Sequence, residues 1–292
     1  ADHGVEEMEI PANPPKIVTE ADFLRGGDSV SARGDFATAA WFYGKAADAN
    51  PNSLQARMRL ANAQMALNDN GSAYANYQAA LILSPNDADA SMRLGEIELA
   101  RGDARTALDR FAVAMHAKQS DPKLYNLMGV AFTMEGKYAM ARQSFEIGLK
   151  LKPDYASLQN NFGMMQLQSG DYDEAVATFT KLVQSPYANE RYRTNRALAE
   201  IARGDVDAAL LDAPGMDETA LRRTLARYQP KSEPIQMASA GNIQMDVTPR
   251  ARESDPTPAA LQQALIAPTL IPEKLPTQAA KSYYDQLPTQ PN

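Results

Sequence analysis

Three copies of Arg-Gly-Asp, at 33–35, 101–103 and 203–205, are the residues of this 292-residue chain that most directly suggest a chemistry. The tripeptide is known for binding integrins, so its recurrence calls for an explanation. Other chemistry-bearing residues are sparse. There is no cysteine, which removes disulfides, thiolate metal sites and thiol nucleophiles together. Two histidines, His3 and His116, are too few for a histidine-rich metal site or a His-dependent triad. The acidic pair Asp173-Glu174 falls where a helix is expected to begin, and a helix N-terminus favours carboxylates without any catalytic role. Asn70-Gly71-Ser72 has the form of a glycosylation sequon but falls in an expected inter-helix turn. No catalytic, cofactor-binding or metal-ligating residue is assigned, and no cofactor is expected.

The elements that carry these residues explain the tripeptides. Their copies are separated by 68 and 102 residues, two and three times 34. With a first unit at 20–53, further units fall at 54–87, 88–121, 122–155 and 156–189, and a partial sixth begins at 190. The eighth position is always small: Gly27, Ala61, Gly95, Gly129, Gly163 and Ala197. The twentieth is always Ala, from Ala39 to Ala209. The twenty-fourth is an aromatic knob: Tyr43, Tyr77, Phe111, Phe145 and Phe179. Gly34, Gly102, Gly136, Gly170 and Gly204 mark the turn between two helices, A and B, and Pro51, Pro85 and Pro153 follow helix B. A 34-residue period with small residues at these offsets is the mark of the tetratricopeptide repeat. The expected fold is all-α: a right-handed superhelical solenoid of five full repeats, a partial sixth and a cap, with a disordered C-terminal tail. In this frame the Gly of each Arg-Gly-Asp closes helix A and the Asp opens helix B, a structural role.

Departures from the pattern carry information. Arg57 stands where repeat two should have an aromatic or aliphatic residue, and Asn68-Asp69-Asn70-Gly71 replaces the usual Gly-Asp turn, so helix A of that repeat is expected to pack least well. In the sixth repeat, helix B is cut short at Leu211-Asp212-Ala213-Pro214. A last helix over 217–228, with Glu218, Arg222, Arg223 and Arg227 outward, is expected to cap the array.

Composition sets the boundaries. Residues 1–18, with Pro11, Pro14, Pro15 and three glutamates, form an expected extended tether; 19–228 form the solenoid; 229–292 form a low-complexity tail with ten prolines. Within the tail, Leu261 and Leu265 lie at helical spacing behind Pro258, and Tyr283-Tyr284 is an aromatic cluster; both are candidate linear motifs. A net charge of −7 argues against nucleic acid as partner. No run of 18 apolar residues is present to span a membrane.

A solenoid of this kind offers a concave face lined by helix A at positions two, five, nine and twelve. The candidate partner-binding residues are therefore Met58, Asn62 and Met65 from repeat two and Met92, Glu96 and Leu99 from repeat three. Asn126 and Val130 (with Lys123 and Thr133) come from repeat four, and Asn160, Met164 and Leu167 (with Ser157) from repeat five. Methionine adapts to varied shapes, and Asn both donates to and accepts from a peptide backbone. The expected occupant is an apolar or amphipathic peptide. Leu24 and Asp28 stand where a cluster gripping a chaperone's C-terminal carboxylate would start, which disfavours that ligand.

The closing region is more specific. Tyr192-Arg193-Thr194-Asn195-Arg196-Ala197-Leu198-Ala199, then Arg203-Gly204-Asp205, Asp217, and Leu221 through Tyr228, resembles the end of the tetratricopeptide lipoprotein of the tight-adherence (Flp) pilus system. The resemblance implies a periplasmic, outer-membrane-anchored protein that helps the pilus secretin to assemble or localise. Members of that family are lipidated on a Cys at the mature N-terminus. None is present here, so either a Cys precedes Ala1 or this chain is not lipidated. A general adaptor recruiting cell-wall or polysaccharide-secretion enzymes, periplasmic or cytoplasmic, is the alternative; an enzyme is disfavoured by the scarcity of reactive side chains.

Overall fold

The computed structural model describes residues 18–228. Among them are thirteen helices and no strand. Repeat one is α1 (Glu20–Ser31) and α2 (Phe36–Ala49); repeat two is α3 (Leu54–Ala66) and α4 (Asn70–Leu83). Repeats three to five are α5 (Ala88–Ala100) with α6 (Ala104–Met115), α7 (Pro122–Met134) with α8 (Tyr138–Leu151), and α9 (Ala156–Ser169) with α10 (Tyr172–Val183). Helix α11 (Glu190–Arg203) is followed by the short α12 (Val206–Asp212) and by α13 (Glu218–Leu225). The tether up to Ile17 and the tail 229–292, with Leu261, Leu265, Tyr283 and Tyr284, lie outside the described residues.

Each Arg-Gly-Asp performs the same local task. Gly34, Gly102 and Gly204 have φ of 80°, 85° and 97°, a left-handed conformation that suits Gly because it lacks Cβ. The following Asp35, Asp103 and Asp205 are N-caps, accepting hydrogen bonds from the backbone N–H of Thr38 (3.1 Å), Thr106 (3.0 Å) and Ala208 (3.2 Å). Helices α2, α4 and α8 stop two residues before Pro51, Pro85 and Pro153, since the residue preceding a proline is driven out of the helical region.

The small eighth position is explained by the aromatic knob. A Cβ built on Gly95 would lie 2.4 Å from Phe111, and one on Gly129 would lie 2.5 Å from Phe145. The ring of helix B therefore rests directly on the backbone of helix A. In repeat six the twenty-fourth position is Ala213, and Ala197 meets no ring there.

Helices α1 to α4 and α5 to α13 fall into separate compact units, divided after Pro85. The first has a core of Phe23, Leu24, Val30, Trp41, Phe42, Tyr43 and Leu60. Val18, counted in the tether from sequence, packs on this core; it occupies the N′ place of a hydrophobic staple before the N-cap Thr19. The second unit contains one cluster around Phe111, Met128, Phe145 and Phe162 and another around Phe179, Leu198, Ile201 and Leu221.

Three expectations need correction. The last helix stops at Leu225, three residues short of Tyr228. Asn70-Gly71-Ser72 is the first turn of α4 rather than an inter-helix turn; Asn68, at φ 60°, takes the left-handed place that Gly has elsewhere. Arg57 is not a packing defect at the surface but is 4 % exposed. Its Nη1 donates to Asn76 Oδ1 (3.2 Å), and Asn76 Nδ2 donates to Gln64 Oε1 (2.9 Å). Burial pulls the guanidinium pKa down, and the polar network engages it through Nη1.

Candidate functional site

The A-helix face differs in its local chemistry between the two units. In the first, the knob is tyrosine, and its hydroxyl passes under the small eighth residue to the ninth. Tyr43 Oη donates to Asp28 Oδ1 (2.8 Å), and Tyr77 Oη donates to Asn62 Oδ1 (2.6 Å). Burial, and next the Asp28 carboxylate, push the Tyr43 phenol up to about 12. Arg59 also pairs with Asp28. Met58 and Met65 are half-buried, while Asn62 is exposed with its carbonyl oxygen engaged by Tyr77.

In the second unit the knobs are Phe111, Phe145 and Phe179, and the ninth positions are Glu96, Val130 and Met164. Glu96 is held by Arg93 (3.0 Å) and Lys123 (2.5 Å). Val130 and Met164 are half-buried. Met92, chosen from the sequence as a groove residue, is 4 % exposed and belongs to the core with Ala107, Phe111 and Leu124. Leu167, at 3 % exposed, belongs to the Phe179 cluster. Leu99 lies partly buried against the Phe111 cluster. These three face neighbouring helices more than open space, so Met92 and Leu167 are removed from the candidate surface. Ser157 is exposed, and the Thr133 hydroxyl donates to Gly129 O (2.7 Å).

The asparagines form a feature that spacing alone did not reveal. Asn195 Nδ2 donates to Asn160 Oδ1 (2.7 Å), Asn160 Nδ2 donates to Asn161 Oδ1 (3.3 Å), and Asn161 Nδ2 donates to Asn126 Oδ1 (3.0 Å). Four side-chain amides thus run head to tail across α11, α9 and α7. Asn126, Asn160 and Asn195 are buried at the residue level. Both bonds between helices join residues 35 apart. A strict 34-residue alignment pairs Asn126 with Asn160, and therefore passes over Asn161 and Asn195. The repeated Asn one place later was the only signal available. Arg191, one turn before Asn195 on the same side of α11, is exposed, with no ion pair among the described residues.

Nothing comparable to a catalytic centre is assembled by the described residues. His116, the exposed C-cap of α6, borders an open hollow of about 640 Å³ with Lys118, Ser120 and Asp121, and none of these side chains is buried. No group of three or more His, Cys, Asp or Glu that could hold a metal occurs among the described residues. No described helix is long and apolar enough to cross a membrane.

Family models described as tetratricopeptide repeats match residues 24–88, 129–189 and 160–213, and a second such model matches 65–130. The chain belongs to the tetratricopeptide-repeat family. Proteins built from tetratricopeptide repeats generally mediate protein–protein interactions and are generally non-catalytic. No curated protein matches the chain. Among solved structures, a tetratricopeptide repeat protein from Parabacteroides merdae is similar at a TM-score of 0.60 and 16 % identity, covering 72 % of this chain and 87 % of that one. Pseudomonas aeruginosa pilF is similar at 0.57 and 19 % identity, covering 71 % and 97 %. YrrB, a tetratricopeptide protein described as having an unusual peptide-binding site, is similar at 0.52 and 20 % identity, covering 63 % and 98 %. At these identities the likeness shows the fold.

Proposed function

We propose that this tetratricopeptide protein is a non-catalytic scaffold that holds an extended peptide segment of a partner protein along the A helices of repeats four to six. The asparagine ladder is the observation that carries this reading. Its internal bonds use one donor and one acceptor per link, and among the described residues Asn126 Nδ2 makes no hydrogen bond and Asn195 Oδ1 accepts none at its two ends. Backbone N–H and C=O groups match this pattern, because an amide side chain reproduces peptide chemistry. An α-helix satisfies its own backbone and has little use for such a row; an extended segment does not and has. Val130 and Met164 offer apolar contact, and Arg191 supplies a cation for an acidic residue of the peptide. Met58, Asn62 and Met65 are the corresponding candidates in the first unit. That YrrB is described as binding peptide is consistent with this use of the repeat.

The partner we favour is a secretin subunit of a tight-adherence pilus. The support is the resemblance of residues 192–228 to the closing region of that system's tetratricopeptide lipoprotein. With that partner goes a proposed periplasmic location and attachment to the outer membrane through a lipidated Cys. The test is affinity co-purification of the full chain from detergent-solubilised envelopes, alongside Val130→Glu/Met164→Glu. A secretin is expected as the dominant partner of the native chain and should be lost from the variant, whose helical circular dichroism is retained. Capture that survives the substitutions removes the A-helix face as the site. Soluble cell-wall or polysaccharide-secretion enzymes in place of a secretin remove the pilus assignment and leave a general adaptor.

A further inference from the structure

Helix α12 is seven residues long, and Ala209 is its one buried side chain. Val206 and Leu210 lie partly buried against the Leu198–Leu221 cluster, while Leu211 is 82 % exposed. A single helix of this length has little stability of its own, so its position depends on its contacts with α11. The strongest polar contact is a two-pronged one: Arg196 of α11 donates through Nε and Nη2 to both carboxylate oxygens of Asp212.

Glu200 lies one turn further along α11. It is 7 % exposed; its Oε1 is 3.7 Å from Arg196 Nε, and its Oε2 is buried with no hydrogen-bond partner. One guanidinium therefore serves two enclosed carboxylates. The charged groups around Glu200 are Arg196 and Arg203 on its own helix, with Asp212 and the N-cap Asp205 from α12. Arg203 is itself engaged with Asp205 and with Asp173 of α10. Helices α9 and α13, also packed on α11, place no charged side chain in an ion pair with Glu200. When both acids are ionised the enclosure carries one uncompensated negative charge; when Glu200 is neutral it does not.

We propose that Glu200 makes the docking of α12 on α11 responsive to pH: α12 is held while Glu200 is protonated and released more readily once it ionises. Arg196 cannot neutralise both partners at once, and Asp212, the carboxylate that shares it, leaves with α12 when the helix undocks. Burial first, and the Asp212 charge second, push the Glu200 carboxyl up to about 7 from an ordinary value of 4.5. A raised carboxyl pKa means the docked state retains its proton longer than the opened state. Docking is accordingly strongest at pH below 4.5, weakens as pH rises, and changes no further above about 7.

Hydrogen exchange of the full chain, read at amides 204–213 and corrected for the intrinsic pH dependence, tests this directly. Protection is expected to be roughly ten- to thirtyfold lower at pH 8 than at pH 5.5, since each unit of pKa difference is worth tenfold. In Glu200→Gln, which keeps the shape and removes the ionisation, protection should be the same at both pH values. Equal protection at the two pH values in the native chain overturns the proposal, as does an unchanged slope in Glu200→Gln. Should that variant fold poorly, carboxyl NMR of the native chain decides: a Glu200 midpoint near 7 supports the proposal, and an ordinary glutamate midpoint overturns it.

Discussion

Repeats one and two share a design that repeats three to five lack. In both groups an aromatic ring from helix B sits against the small eighth residue of helix A. Where the ring is Tyr43 or Tyr77, its hydroxyl ties down the ninth residue, Asp28 or Asn62, from beneath. Where it is Phe111, Phe145 or Phe179, no hydroxyl is present, and Glu96, Val130 and Met164 are left to other partners. Links between repeats occur in both groups, Asp28 with Arg59 and Glu96 with Lys123, but only in the second do asparagines join three A helices, α7, α9 and α11. The oxygen atom at the knob thus adds a tie within the repeat, from the B helix to the ninth residue, that the phenylalanine repeats lack.

The most severe way to break this contrast is to transplant the knob. Phe145→Tyr places a hydroxyl beneath Val130, which accepts no hydrogen bond, in a site where Phe145 is fully buried. We expect a loss of about 3 kcal/mol in urea unfolding, the cost of a buried unpaired hydroxyl with added crowding. Adding Val130→Asn should recover more than half of it by supplying the acceptor that repeat two has in Asn62; no recovery would show that the ring seats differently in the two units. Next in size is Asn160→Ala, which removes the middle of the ladder and strands the Asn195 donor. It should lower stability by about 2 kcal/mol and make peptide capture weaker at the same time, read by unfolding and co-purification. Unaltered stability would mean that the amide row is not a connected element.

The smallest effect is expected in the first unit. Tyr43→Phe should cost about 1 kcal/mol, because Asp28 keeps Arg59 and partial access to water. The pH dependence is more telling than the size. The neutral phenol is favoured by folding, so its contribution is complete below pH 10 and disappears as pH rises toward about 12. Unfolding curves of the native chain and Tyr43→Phe should therefore converge in that range. A constant gap would place the Tyr43 hydroxyl outside the Asp28 contact.

The 34-residue phase, the knobs, the turns and the meaning of Arg-Gly-Asp were legible in the chain because they are local. A left-handed turn needs Gly, an N-cap needs a short acceptor, and a ring 16 residues from a Gly meets it whenever two helices pair closely. The candidate surface was legible only in part. Met92 and Leu167 occupy positions that the repeat pattern assigns to an open face, yet each packs into a core; a residue near the edge of a helix stripe turns inward or outward by a small rotation of the helix. The ladder was missed because neighbouring A helices meet one residue out of step with the repeat, at 35 rather than 34. Arg57 looked like a flaw because its partners, Asn76 and then Gln64, lie on another helix and further along its own.

By itself, then, the sequence determined the repeat phase, the aromatic knobs and the glycine turns, since these follow from backbone preferences and contacts within one helical pair. The tertiary structure alone decided which side chains of helix A are open, which are linked across repeats, and that Glu200 shares Arg196 with Asp212. These outcomes depend on the offset and rotation between successive helices, which many side chains set jointly and no single residue type announces.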